Sequence, residues 1–135
     1  MGLIVVDASV IVDLLAGDDS PRRKAARDRM TGGDVSYAAA HLDIEVISAL
    51  RGLARRKSRL AEHAPNLIAN LSRLPIRREL LGRPTTQRVW ELRENMTAYD
   101  AGYVALAEQI DAVLLTCDAK YAGATGPRCA IELIT

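Results

Sequence analysis

The sequence predicts an α/β domain: a mainly parallel central sheet of four to five strands flanked by helices. Two kinds of segment lead to that reading. Leu3-Ile4-Val5-Val6 is short, wholly apolar and rich in β-branched residues, as a strand covered on both faces must be. The stretch from Ala112 to Thr116 has the same character, and Ile131 to Ile134 makes a last strand. Between such runs lie longer segments with helical periodicity, and that alternation is the mark of a parallel sheet.

The elements follow in order. After the first strand a short helix is expected over Ala8–Leu15, ended by Gly17-Asp18-Asp19-Ser20-Pro21. Ser20 caps a second helix that has Pro21 at its first position and runs to about Met30. Gly32-Gly33-Asp34 reads as a turn and Val35–Ala38 as a second strand. A long helix is expected from His41 to Arg56, with Leu42, Val46, Ile47, Leu50 and Leu53 on one face. Another covers Arg59 to Leu74, bent or broken near Pro65. Pro75–Leu80 is expected as an edge strand, followed by helices over Pro84–Glu94 and Ala98–Ile110.

Length and composition bound the rest. A chain of 135 residues matches one compact domain over 1–135, and no linker or repeat divides it. Phe is absent and aromatics reach only 4%, so the core must rest on Ala, Leu, Ile and Val. A net charge of +1 neither favours nor excludes a nucleic-acid partner, because attraction depends on where charges sit. Cys117 and Cys129 make no disulfide framework. The apolar run Leu3–Val6 is too short for a signal peptide or a membrane span, which predicts a cytoplasmic protein with no membrane partner.

Four acids stand out. Asp7 and Asp118 directly follow the two most apolar strands, and ligand sites in open α/β sheets lie beyond the carboxyl ends of strands. Each is equally well placed to cap the segment after it. Glu45 lies on the edge of its helix's apolar face, with small Ser48, Ala49 and Gly52 one and two turns on, so something comes close there. Asp100 stands three residues after Thr97 in a capping box, at the inner margin of a stripe formed by Tyr99, Tyr103, Leu106, Ala107 and Ile110. Four gathered carboxylates would repel one another without a compensating cation. Oxygen-only donors suit Mg²⁺ or Mn²⁺, one or two ions per site, and no His/Cys set offers a zinc site. Such ions activate a water against a phosphodiester and stabilise the leaving oxygen.

The segments Ile4-Val5-Val6-Asp7-Ala8-Ser9, Glu45, Tyr99-Asp100-Ala101-Gly102-Tyr103-Val104-Ala105-Leu106-Ala107 and Leu115-Thr116-Cys117-Asp118 occur in that order. Together they resemble a PIN domain, in particular the VapC-like toxins of toxin–antitoxin pairs. The resemblance implies a three-layer domain whose first and fourth strands are adjacent. It implies a Mg²⁺- or Mn²⁺-dependent endoribonuclease with Asp7, Glu45, Asp100 and Asp118 as catalytic, metal-binding acids. Ser9 and Thr116 match hydroxyl positions that line the site or hold its carboxylates. A homodimer is implied too, as is a VapB-like antitoxin that covers the groove and sets a basic side chain among the acids.

Two basic groups, Arg51, Arg55, Arg56, Lys57 and Arg59, and Arg22, Arg23, Lys24, Arg27 and Arg29, read mainly as solvated helix faces. Either would neutralise RNA phosphates if it rimmed the acids. His41 reads as a surface or helix-start residue, Cys117 as a buried small residue, and Asp13 as a cap, turn or solvated acid. Tyr99 and Tyr103 are assigned to the core, leaving no stacking platform for bases. Two other readings remain open: a catalytically silent PIN-like module that binds RNA or protein, and a nuclease for RNA processing or DNA.

Overall fold

The computed structural model describes residues 2–135, so residue 1 of the expected 1–135 domain lies outside the described residues. Strand β1 (Leu3–Val6) leads into α1 (Ala8–Ala16) and α2 (Pro21–Met30), then β2 (Val35–Ala39), α3 (Leu42–Ala54) and α4 (Ser58–Leu71). Strand β3 (Ile76–Glu79) precedes α5 (Arg83–Glu91) and α6 (Ala98–Gln109). Strand β4 (Val113–Thr116), a 3₁₀ segment over Ala119–Gly123 and β5 (Ile131–Leu133) complete the order.

The sheet order is β3-β2-β1-β4-β5, and every pairing is parallel. Helices flank this sheet in a three-layer arrangement. The chain winds outward from β1 through β2 to β3, then returns to place β4 on the other side of β1. The order therefore reverses between β1 and β4, where parallel α/β sheets open a crevice at the strands' carboxyl ends. Val6 pairs with Leu115, and Asp7 N–H donates to Leu115 O at 3.4 Å, so the residues that end both strands emerge side by side.

The strands are buried as their composition requires: Ile4, Val5, Val6, Leu114 and Leu115 are all fully inaccessible. Helix α6 packs against β1, β2, β4 and α5, and every residue from Ala101 to Ala107 is buried. That exceeds the single stripe predicted, because small Ala and Gly residues let neighbours approach this helix from several sides. Gly102 is one such place: a Cβ there would stand 2.6 Å from His41 Cε1.

Three expectations are corrected. Tyr99 is 61% exposed rather than a core residue, since it lies in the first turn of α6, ahead of the helix's buried stretch. Ile47 is partly exposed, the buried face of α3 being Leu42, Val46 and Leu50. Helix α4 runs unbroken through Pro65, so of the expected bend or break it is the break that is excluded. That proline is exposed, as is Ala61 one turn before it, so water can satisfy the carbonyl that a proline cannot bond. The 3₁₀ segment escaped prediction because five residues are too few to show a period. Among the described residues, no helix is long and apolar enough to cross a membrane.

Candidate active site

Asp7 stands where β1 becomes α1, and capping and site placement prove to be the same position. Its Oδ1 accepts hydrogen bonds from Ser9 N at 3.1 Å, Ser9 Oγ at 2.6 Å and Val10 N at 3.4 Å. Its Oδ2 accepts one from Thr116 Oγ1 at 2.6 Å. The residue is only 4% exposed. Burial raises its pKa above the ordinary carboxylate value, although the Ser9 and Thr116 hydroxyls and the Val10 and Ser9 amides all pull the other way.

Ser9 and Thr116 also join β1 to the end of β4. Cys117 N–H donates to Ser9 Oγ at 2.9 Å and Asp118 N–H donates to Thr116 Oγ1 at 3.0 Å. Asp118 is thus held next to Asp7 by the hydroxyl that holds Asp7 itself. Its Oδ1 accepts from Lys120 N at 3.0 Å, capping the 3₁₀ segment. Thr116 is fully buried beneath the site, so it supports a carboxylate and does not line the cavity.

Glu45 comes from the first turn of α3. Tyr103, 1% exposed on α6, donates its hydroxyl to Glu45 Oε1 at 2.6 Å. Burial, and then the carboxylate beside it, drive the Tyr103 pKa far up, so the phenol remains a donor at any ordinary pH. His41 lies 3.6 Å from the same Glu45 oxygen. Its Nε2 meets Tyr99 O at 2.9 Å, and its ring packs against Tyr103 with centroids 4.7 Å apart. His41 therefore ties α3 to α6.

Asp100 makes one half of the expected capping box: its N–H donates to Thr97 Oγ1 at 3.2 Å. Its carboxylate reaches Lys120 instead, with Nζ 2.8 Å from Asp100 Oδ2 and 3.1 Å from Asp118 Oδ2. Burial disfavours the Lys120 ammonium, but the bonds to Asp100 and Asp118 outweigh it and raise its pKa.

Asp7, Glu45, Asp100 and Asp118 all line one open cavity of about 660 Å³, together with Ser9, Tyr103 and Lys120. The small flank of Glu45 is there as well, since Ala49 and Gly52 form part of the wall. Among the described residues, no group of three or more His, Cys, Asp or Glu side chains is placed to hold a metal ion as it stands. The donor chemistry nevertheless suits a hard cation: four carboxylates face one space, and an ammonium already sits between two of them.

A family model for the PIN domain matches residues 4–126. The chain belongs to the PIN-domain family. It is 39% identical over 132 residues to Ribonuclease VapC12 of Mycobacterium tuberculosis, covering 98% of this chain and 99% of that protein. Among solved structures it is similar to VapBC2 from Rickettsia felis bound to a promoter DNA fragment. There the TM-score is 0.69 at 11% identity, with 98% of this chain and 99% of that chain covered. It is similar also to a toxin–antitoxin complex from Klebsiella pneumoniae, with a TM-score of 0.64 at 16% identity and 98% of each chain covered.

Of this PIN domain's cavity residues, Lys120 and Asp13 escaped the sequence reading, while Arg22 and Arg56 come from the two basic groups it named. Lys120 gave no signal, because a lone lysine in a short turn looks solvated. Asp13 and Arg22 also line the wall and pair with each other, Arg22 Nη2 donating to Asp13 Oδ1 at 3.0 Å. Arg22 is thus partly neutralised, and Arg56 is the one residue of the other basic group on this cavity's wall. Arg23, Lys24 and Arg29 instead bond Leu14 O, Asp28, and Asp34 with Glu132. Cys117 is a half-buried part of the wall. Burial and the nearby Asp13 push its thiol up to about 12, so it stays protonated and is a poor nucleophile.

Proposed function

We propose that this chain is the toxin of a VapBC-type toxin–antitoxin pair, an endoribonuclease that hydrolyses RNA with Mg²⁺ or Mn²⁺. The observation that carries the reading is the convergence of Asp7, Glu45, Asp100 and Asp118, from four separate elements, on one cavity at the sheet's switch point. The full-length likeness to a protein named as a VapC ribonuclease supports it.

In this reading the four carboxylates hold one or two divalent ions. An ion bound there supplies Lewis acidity, activating a water and offsetting charge on the phosphodiester. The protein's share is positioning. Ser9 and Thr116 fix Asp7 from below, Tyr103 fixes Glu45, and the Thr97 cap fixes the start of α6 and with it Asp100. Arg56 and Arg22 on the wall offset the repulsion between an acidic cavity and a polyanionic substrate.

The antitoxin belongs to the same proposal. A cavity that already lodges the Lys120 ammonium between two carboxylates would equally accept a basic side chain from a partner. A homodimer is the proposed assembly, and Ile44 at 70% and Leu80 at 87% exposure are apolar side chains that a second copy would shelter. The deciding experiment is cleavage of cellular RNA with Mg²⁺ or Mn²⁺ by wild type and by Asp7→Asn and Asp100→Asn. Both variants should lose at least about a hundredfold in rate. Variants that cut as fast as wild type would end the four-carboxylate reading.

A further inference from the structure

The proposed function gives Lys120 no task in the reaction. It belongs to the 3₁₀ segment after β4, and its ammonium reaches back to bridge two acids from different elements. Both contacts, 2.8 Å to Asp100 and 3.1 Å to Asp118, are made to the Oδ2 atoms. On Asp118 that is the oxygen left over when Oδ1 caps the 3₁₀ segment through Lys120 N.

A divalent ion bound through these Oδ2 atoms would compete with the ammonium for them. An ion about 2.1 Å from a carboxylate oxygen, with an ammonium about 3 Å from the same atom, would bring two positive centres within a few ångströms of each other. At such a separation their repulsion is several kcal/mol even at a generous effective dielectric. That repulsion favours the departure of one of them, and the lysine is able to leave. Its side chain is 56% exposed and flexible, so withdrawal into water exchanges a screened ion pair for full hydration. Its backbone need not follow, because the next residue, Tyr121, is 2% exposed and anchors the segment in the core.

We propose that Lys120 is a tethered counter-ion. In the metal-free protein it holds the Asp100–Asp118 half of the cavity together, and a divalent cation binds only by displacing it. The metal affinity of the site is thereby set below what its carboxylates alone would give. This inference rests on the metal-site reading of the proposed function, so the test must separate the two.

Mn²⁺ is titrated calorimetrically into metal-free wild type, Lys120→Met and Lys120→Arg, and each protein is melted with EDTA and with saturating Mn²⁺. Lys120→Met removes the charge and keeps most of the stem. It should bind Mn²⁺ on the order of three- to tenfold more tightly than wild type. With EDTA it should melt below wild type, since Asp100 and Asp118 are left to repel each other, and Mn²⁺ should close or reverse that gap. Lys120→Arg keeps a cation and should stay within about twofold of wild type. Equal or weaker binding by Lys120→Met, with wild type still binding, overturns the counter-ion while leaving the metal site standing. Tighter binding by both variants would mean that lost packing is responsible, and overturns it as well. If neither wild type nor Lys120→Met takes up Mn²⁺, the metal-site reading fails and takes this proposal with it.

Discussion

Thr116→Val tests the scaffold beneath the acids. The substitution is nearly isosteric and lies at a fully buried position, so it changes hydrogen bonding with little change in packing. Three contacts disappear: the bond donated to Asp7 Oδ2 at 2.6 Å, the one accepted from Asp118 N at 3.0 Å, and a longer one of 3.3 Å between the Ser9 and Thr116 hydroxyls. A hydrogen bond to a charged group contributes about 1.5–3 kcal/mol, and an amide left without its acceptor in a half-buried place about 1 kcal/mol. The expected loss at pH 7 is therefore about 2–4 kcal/mol, read by urea denaturation with EDTA present. The pH dependence is the sharper part. Asp7 has a folded-state pKa above its ordinary 3.8, so its contribution to stability is full below that value and is lost as pH rises through the folded pKa. Removing the Thr116 hydroxyl takes away one of the interactions that favour the ionised form, which raises that pKa further. The gap between variant and wild type should thus be widest at neutral pH and shrink in acid, where Asp7 is neutral and only an ordinary hydrogen bond is missing. A gap below about 1 kcal/mol, or one unchanged between pH 7 and pH 4, would show that Thr116 does not stabilise the Asp7 carboxylate.

Asp7→Asn should keep or slightly raise metal-free stability at pH 7, because it removes a buried charge and keeps a good capping side chain. Its urea midpoint should also lack the part of wild type's pH dependence that Asp7 supplies. Tyr103→Phe should cost about 1–2 kcal/mol and weaken RNA cleavage roughly tenfold, as Glu45 loses the hydroxyl that orients it; unchanged rates would show that Glu45 is positioned without it. Gly102→Ala should destabilise by about 1–3 kcal/mol, since a Cβ 2.6 Å from His41 Cε1 must push that ring off Tyr103; a loss under about 0.5 kcal/mol would show that His41 moves at no cost.

How much of this was legible in the sequence follows from how local each determinant is. Helix α2 was readable to the residue because Ser20 and Pro21 declare its start. Strands β1 and β4 were readable because burial on both faces leaves an uninterrupted apolar run. Asp7 posed the question of cap or ligand, and the structure shows the cap on a residue that also lines the cavity: Oδ1 does the capping while Oδ2 accepts from Thr116. What stayed illegible depends on contacts far apart in the chain. Tyr103 meets Glu45 across 58 residues, and Lys120 reaches Asp100 from a segment too short to show periodicity. Tyr99 was misplaced for a related reason. Helical spacing sets the face a residue lies on, but not where along its length the helix enters the core.

The hydrogen bonds around the acids also bear on the kind of ion the proposed site would hold. Asp7 commits Oδ1 to three donors, Glu45 commits Oε1 to Tyr103, and Asp118 commits Oδ1 to its cap. Asp7 commits its other oxygen to Thr116 as well, whereas Asp118 keeps Oδ2 for Lys120 and Glu45 makes its bond through Oε1. A bidentate carboxylate at Asp7, Glu45 or Asp118, of the kind Ca²⁺ readily takes, would compete with a cap, with Thr116 or with Tyr103. Mg²⁺ prefers few carboxylate oxygens and keeps several waters, which suits single oxygens in an open cavity. The same division of labour explains how a cluster of acids persists in a folded domain. The fold holds at least one oxygen of each of the three at a fixed place through hydrogen bonds. At Asp100 and Asp118 the cation that offsets the carboxylate charge in the protein alone is Lys120.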